Sequence, residues 1–274
     1  MHIGVVTWTL GLTEPLEVMA KVSELGLDAL QYAGDFRDCS GVELRRAAAA
    51  AGLKILAIDP FNAGPEDPGA ASEQAAIAYY RKLVDFAVDA GCVPLTLQGL
   101  ALWTRDCPDQ QSAWQRLLAC CRAVDSYARE RGVRTLYEVC NHYELPLVNT
   151  SEACRALIGQ VGGDNLRMIL DSFHMNINER EPLATLERHA ADTAIYHISD
   201  SGRGGIGSGH IDFRAQCNAL LAAGFAGDVA VELVLPQRTP SSPPETAQDQ
   251  QRLTCEIIRS VVAWRSYLTQ GGRV

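Results

Sequence analysis

The chain has 274 residues, 47% of them apolar, enough for a sizeable core in one large barrel-type domain or two smaller ones. With 33 acidic against 24 basic residues, its net charge of −9 argues against a nucleic-acid surface, which carries a basic patch, and suits a cation site or a neutral substrate. Nine cysteines, an odd number, are scattered apart from Cys120–Cys121 and show no C-x-x-C spacing; neither a leader-type N-terminus nor an apolar run of membrane-spanning length occurs. The expectation is a soluble, reduced, cytoplasmic protein with free thiols and with neither nucleic acid nor membrane among its partners.

Ile3–Thr7 is an apolar β-type run, and Pro15–Leu25 has helical spacing ended by Gly26. Leu27–Tyr32 is the next short apolar run. Val42–Ala51 is an alanine-rich helix ended by Gly52, and Leu53–Ile58 a strand. Pro60–Ala71, rich in Gly, Pro and Asn, reads as a loop before a long helix over Ser72–Ala90. Val93–Leu97 is a fourth strand, followed by a loop holding Trp103 and a helix from about Gln111 to Glu130. Val133–Glu138 and Leu166–Asp171 are strands with a helix from Ser151 between them. Ala194–His197 is the seventh strand. A glycine-rich loop, Asp200–Gly209, and a helix to Ala223 precede the eighth, Val229–Glu232, and a helical tail runs from Thr246 to Leu268. Strict strand–helix alternation with no linker predicts a single (β/α)8 TIM barrel over residues 1–274. A doubly wound sheet is the alternative, but no G-x-G-x-x-G follows the first strand. The glycines of the 200s loop follow the seventh strand and read as a flexible cover over a pocket.

The run Met168-Ile-Leu-Asp171, with His174 and Asn176 just beyond, reads as a buried strand that opens into a polar pocket, or as a strand whose Asp171 caps the next helix. Similar strand ends lie on both sides of it. Glu138, Asp171, His197 and Glu232 end four successive strands at gaps of 33, 26 and 35 residues, each about one βα unit. In a barrel, those C-terminal ends surround one mouth, where active sites lie. Three carboxylates and an imidazole repel one another there without a cation. The oxygen-rich set suits one Mn²⁺, or Mg²⁺ or Co²⁺, better than a structural zinc site.

These residues carry a resemblance. Tyr-Glu138-Val-Cys-Asn-His-Tyr-Glu144, Leu-Asp171-Ser-Phe-His174, His197-Ile-Ser-Asp-Ser-Gly-Arg203, Gly-Ser-Gly-His210-Ile-Asp-Phe and Val-Glu232-Leu resemble the xylose-isomerase-like sugar isomerase/epimerase superfamily. Within it they are most similar to the D-tagatose/D-psicose 3-epimerases and related keto-sugar epimerases. The similarity is strong over about residues 130–235 and mostly architectural before that. It implies that Glu138, Asp171, His197 and Glu232 hold the metal, and that Glu138 and Glu232 flank the substrate carbon as the acid/base pair. It also implies substrate contacts by Glu144, His174 and Arg203, and by two aromatic residues, Trp8 and Trp103. In the second strand, Leu30-Gln31-Tyr32 departs from the pattern, since many relatives have a Glu there.

The chemistry follows from general principles. A carbonyl beside a hydroxyl chelates one divalent ion, which stabilises the enediolate formed when the adjacent C–H proton leaves. Carboxylates on opposite faces of that carbon remove a proton on one side and return one on the other, which is epimerisation. Return to the neighbouring carbon is aldose–ketose isomerisation, as in hydroxypyruvate isomerases. Loss of a β-hydroxyl is the dehydration of inosose dehydratase-like relatives. An apurinic endonuclease of the same barrel needs further histidines after the third and fourth strands, where this chain reads Ala57-Ile-Asp-Pro and Leu97-Gln-Gly-Leu. A sugar-binding barrel without catalysis has no need of two bases. His142 reads as a lining residue, Asp212 as a helix N-cap beside His210, and Cys140 as a packing residue. Few Lys or Arg at the mouth beyond Arg203 favour a free sugar or polyol ketone over a sugar phosphate. The expected assembly is a homo-oligomer, a dimer or tetramer.

Overall fold

The eight apolar runs become eight parallel strands: β1 (Ile3–Val6), β2 (Ala29–Tyr32), β3 (Lys54–Ile58), β4 (Leu95–Thr96), β5 (Thr135–Glu138), β6 (Leu166–Asp171), β7 (Thr193–Ile198) and β8 (Asp228–Val231). In the computed structural model, which describes residues 1–239, 242, 244 and 246–271, they pair in sequence order. β1 closes on β8 with Val5 opposite Val231, completing a (β/α)8 barrel. Residues 240, 241, 243, 245 and 272–274, which the single-domain expectation also covers, lie outside the described residues.

Helices α1 (Pro15–Glu24), α2 (Gly41–Ala51), α3 (Glu73–Asp89), α4 (Gln110–Glu130), α5 (Ser151–Val161), α6 (Ser172–Asn178), α7 (Pro182–His189), α8 (Phe213–Ala222) and α9 (Ala247–Gly271) join and surround the strands. Their starts are written in the sequence as oxygen-bearing caps. Ser40 and Glu43 form a capping box, while Ser72, Asp109, Thr150, Asp171 and Asp212 each accept a backbone N–H of the helix they open. The alternation leaves residues 172–193 without an assigned helix. They fold as two short helices, because Glu179 breaks α6 with extended dihedrals and Pro182 restarts the chain at the first position of α7.

Most buried side chains lie between the strands and the helices, but a second cluster fills the barrel itself: Val6, Ala29, Leu56, Ala57, Leu136, Ile169, Ile195 and Ala230. Successive side chains of a strand alternate between faces, so a residue two positions beyond an inward one also points inward, one layer higher. Leu136, Ile169, Ile195 and Ala230 are therefore the floor beneath Glu138, Asp171, His197 and Glu232. Each large buried side chain of such a floor contributes about 1.5–3 kcal/mol and excludes water from below the polar layer. Close approach of β1 to β2 requires Gly4, where a Cβ would fall 2.8 Å from the backbone of Ala29.

Candidate active site

The four strand-end residues converge. His197 Nδ1 lies 3.2 Å from Glu138 Oε1, 3.3 Å from Glu232 Oε2 and 3.8 Å from Asp171 Oδ2. All four side chains are buried. Asp171 serves both readings of its sequence: Oδ1 caps α6 by accepting the N–H groups of Phe173 (2.6 Å) and His174 (3.1 Å), while Oδ2 is left to the cluster. Asp171 Oδ2 and Glu232 Oε2 accept no hydrogen bond among the described residues, although Glu232 Oε2 lies within ion-pair distance of His197 and Arg203. This buried, oxygen-rich donor set fits a small divalent cation.

Each glutamate is held at its second oxygen by a neutral donor. Trp8 Nε1 donates to Glu232 Oε1 (2.9 Å), and Gln98 Nε2 donates to Glu138 Oε2 (3.2 Å). Trp8 follows β1 and Glu232 follows β8; Gln98 follows β4 and Glu138 ends β5. In an eight-strand circle these two pairs lie across the mouth from each other. Their protonation differs. Burial, then repulsion by Glu232, pushes Glu138 up to about 7. Burial also acts to raise Glu232, but Arg203 and His197 outweigh it and hold this carboxyl well below the usual range. Asp171 is raised well above its ordinary value, first by burial. His197 would be lowered by burial, yet Glu138 and Glu232 hold it well above the ordinary imidazole value.

His174, Arg203 and Glu144 form the rim. Tyr143 N–H donates to Asn141 Oδ1 (3.0 Å), which turns Asn141 Nδ2 to Glu144 Oε1 (3.0 Å) and His174 Nδ1 (2.8 Å). Burial and the neighbouring Arg203 lower His174 well below the ordinary imidazole value. Arg203 Nη1 lies 3.1 Å from its Nε2, so the two side chains stand together at the rim. Arg203 adopts the left-handed φ of 64°, and its guanidinium carbon lies 4.7 Å from the Phe173 ring centroid, with Nη2 3.4 Å from Glu232 Oε2. A cavity of about 200 Å³ is lined by Trp8, Ala33, Gly34, Asp35, Phe61 and Asn62.

Other sequence candidates lie elsewhere. Trp103 is buried, donates its indole N–H to Ala63 O (2.7 Å), and packs on Tyr79 in the wall of a cleft of about 770 Å³ that shares Phe61 and Asn62 with the smaller cavity. His142 pairs with Asn178 and His210 with Asn176, both exposed; Cys140, by contrast, is buried at the site, its sulfur within 4.8 Å of ligand atoms of Glu138 and His174. The 200s loop is not the loose cover its glycines suggest. The buried Asp200 carboxylate accepts four backbone N–H groups, from Ser201 (2.7 Å), Gly207 (3.0 Å), Gly209 (2.9 Å) and Ile211 (3.1 Å). Asp200→Ala leaves those donors unpaired, which is expected to cost on the order of 3 kcal/mol and to speed amide hydrogen exchange across residues 200–211. Unchanged exchange there would show that the carboxylate does not hold the loop.

Residues 19–257 match the family described as the xylose isomerase-like TIM barrel. The chain belongs to that family. Among curated relatives of this xylose isomerase-like barrel, L-ribulose 3-epimerase of Mesorhizobium japonicum is 41% identical over 120 residues, 43% of this chain and 40% of the relative. D-psicose 3-epimerase of Ruminiclostridium cellulolyticum is 26% identical over 77% of this chain and 75% of its own. The stretches matched in the first of these relatives thus span well under half their length. Among solved structures, D-psicose 3-epimerase from Clostridium cellulolyticum H10 with D-tagatose superposes with a TM-score of 0.83 over 98% of this chain and 99% of its own, at 22% identity.

In this xylose isomerase-like barrel, sequence reasoning missed the polar half contributed by β2–β4. Gln31, Asp59 and Gln98 complete the ring of strand ends, and Gln31 Oε1 lies 2.9 Å from His197 Nε2. The signal was present: Gln31 stands two residues after inward-facing Ala29, and Asp59 two after Ala57.

Proposed function

We propose that the chain is a divalent-metal-dependent ketose 3-epimerase acting on a free sugar, with the whole described chain serving as one catalytic domain. The observation that carries this reading is the pair of glutamates on opposite sides of one cation-competent cluster. The epimerase names of the relatives agree with it.

Glu138, Asp171, His197 and Glu232 would hold the cation. His174 is a poorer ligand although one of its nitrogens lies within 4.8 Å of the carboxylate oxygens, because Asn141 occupies its Nδ1 and the Arg203 guanidinium crowds its Nε2. The donor set suits Mn²⁺, with Mg²⁺ and Co²⁺ as alternatives. When bound, the ion supplies a Lewis acid for adjacent carbonyl and hydroxyl oxygens of the sugar. Glu232, held ionised, removes the C3 proton from one face. Glu138, on the opposite side of the cluster, returns a proton to the other face, and the roles reverse for the return reaction. Arg203, beside His174, donates to the oxygen that gains charge, and Glu144 anchors a hydroxyl. Trp8 keeps Glu232 aimed at the reacting carbon through its hydrogen bond.

Product analysis by NMR after incubation of D-psicose, L-ribulose or D-tagatose with Mn²⁺ and protein tests this. A C3 epimer is the expected product; an aldose or a dehydrated product would replace this reading with the isomerase or dehydratase one. A dimer or tetramer is the proposed assembly, checked by sedimentation.

The raised carboxyls set a pH dependence. Glu138 keeps its proton in the fold to about 7, whereas its ordinary value is 4.5. Between these values the folded chain binds more protons than the unfolded chain, so its own stability falls as pH rises. A cation displaces the proton, so the stabilisation by Mn²⁺ should grow by a few kcal/mol from about pH 5 to about pH 7, and go on growing above it as the raised Asp171 and His197 also give up protons. Thermal unfolding with Mn²⁺ or with chelator measures that gap; a gap constant across the range would contradict the ligand assignment of Glu138.

A further inference from the structure

Asp59 stands just past β3, and its hydrogen bonds reach the cation site only through other side chains. Oδ1 accepts from Thr96 Oγ1 (2.6 Å) and Gln98 Nε2 (2.8 Å), and Oδ2 accepts from Gln31 Nε2 (3.1 Å). This carboxyl accepts at both oxygens, so it dictates which end of each amide faces it. With its NH2 on Asp59, Gln31 presents Oε1 to His197 Nε2 at 2.9 Å. A carbonyl oxygen only accepts, so that nitrogen carries the hydrogen. In neutral imidazole the lone pair is then on Nδ1, the nitrogen that faces Glu138, Asp171 and Glu232. Gln98 places its other N–H on Glu138 Oε2 (3.2 Å).

We propose that Asp59 is a positioning residue, fixing the ligand tautomer of His197 through Gln31 and the orientation of Glu138 through Gln98. It presets both a cation ligand and a base while touching neither. The inference rests on the cation site proposed above.

Reversing the polarity of the relay tests it. Asp59→Asn is nearly isosteric, but its new amide nitrogen donates towards Gln31. Gln31 must then turn its carbonyl to position 59 and its NH2 to His197 Nε2, which moves the imidazole proton to Nδ1 and against the cation. Gln31→Glu added to Asp59→Asn restores the direction: the carboxylate introduced in β2 accepts both from the amide nitrogen at position 59 and from His197 Nε2–H. Mn²⁺ binding to chelator-treated, buffer-exchanged full-length protein is measured by calorimetry. Asp59→Asn is expected to bind Mn²⁺ about 10–100-fold more weakly, the usual cost of losing an outer partner of a ligand. The double variant is expected to return to within about threefold of wild type. Wild-type affinity in Asp59→Asn, or a double variant no better than the single one, overturns the proposal. If Asp59→Asn does not fold, the double variant decides alone: near-wild-type affinity supports the relay and a tenfold or greater loss overturns it. A wild-type chain that binds no Mn²⁺ overturns the underlying cation site, and the proposal with it; normal wild-type binding with an indifferent Asp59→Asn overturns the proposal alone.

Discussion

Glu138→Gln and Glu232→Gln, assayed at saturating Mn²⁺, are each expected to bind the ketose but to epimerise it more slowly by roughly 10²–10⁴-fold or more, the loss typical of a removed general base. Both changes keep the shape of the side chain. Trp8 Nε1 and Gln98 Nε2 are donors, so each new amide keeps its carbonyl towards them and turns its NH2 towards the cluster. That weakens the cation as well as removing the base, so metal content must be measured beside the rate. With metal bound, one variant is expected to exchange the C3 proton with D₂O from the surviving face without inverting the carbon. That partial reaction separates two bases from one. A wild-type rate in either metal-loaded variant would remove that glutamate from the mechanism. Inversion by wild type without solvent deuterium in a single turnover bears on the same point only together with the variant rates, because one shielded carboxylate returns its own proton.

Asp171→Asn should separate the two roles of one residue. An asparagine accepts the Phe173 and His174 N–H groups as an aspartate does, so the cap on α6 survives. The other end of its amide presents N–H groups where Asp171 Oδ2 now stands without a donor. Mn²⁺ affinity is expected to fall by at least ~100-fold, more than the usual loss of an outer partner. Stability in chelator should stay level or rise, because a buried carboxyl facing Glu232 is replaced by a donor. Thermal unfolding would then show a large Mn²⁺-induced shift in wild type and almost none in the variant. An undiminished shift would move the cation away from β6. A collapse of stability in chelator as well would mean that the residue is chiefly structural.

The sequence by itself determined the barrel and one half of its mouth. Apolar runs of strand length, capping residues such as Ser40, Ser72 and Asp109, and glycines such as Gly52 at helix ends are local signals. They depend on backbone dihedrals and short-range hydrogen bonds that a linear reading captures. Glu138, Asp171, His197 and Glu232 were legible because each is a metal-competent side chain at a strand end, at a spacing near one βα unit. What Gln31, Asp59 and Gln98 do was not legible. An amide on a strand carries no chemical signature until its partners are known, and those partners are 28, 166 and 40 residues away. The same holds for Trp8, whose bond to Glu232 spans 224 residues through the β1–β8 closure. Asp200 gave a false signal through its neighbours: the glycines suggested looseness, and only the fold shows one buried carboxylate gathering four N–H groups of that loop. Closure of the barrel decided these matters, because it brings side chains from eight distant segments within hydrogen-bond range. There, burial makes the direction of every donor count.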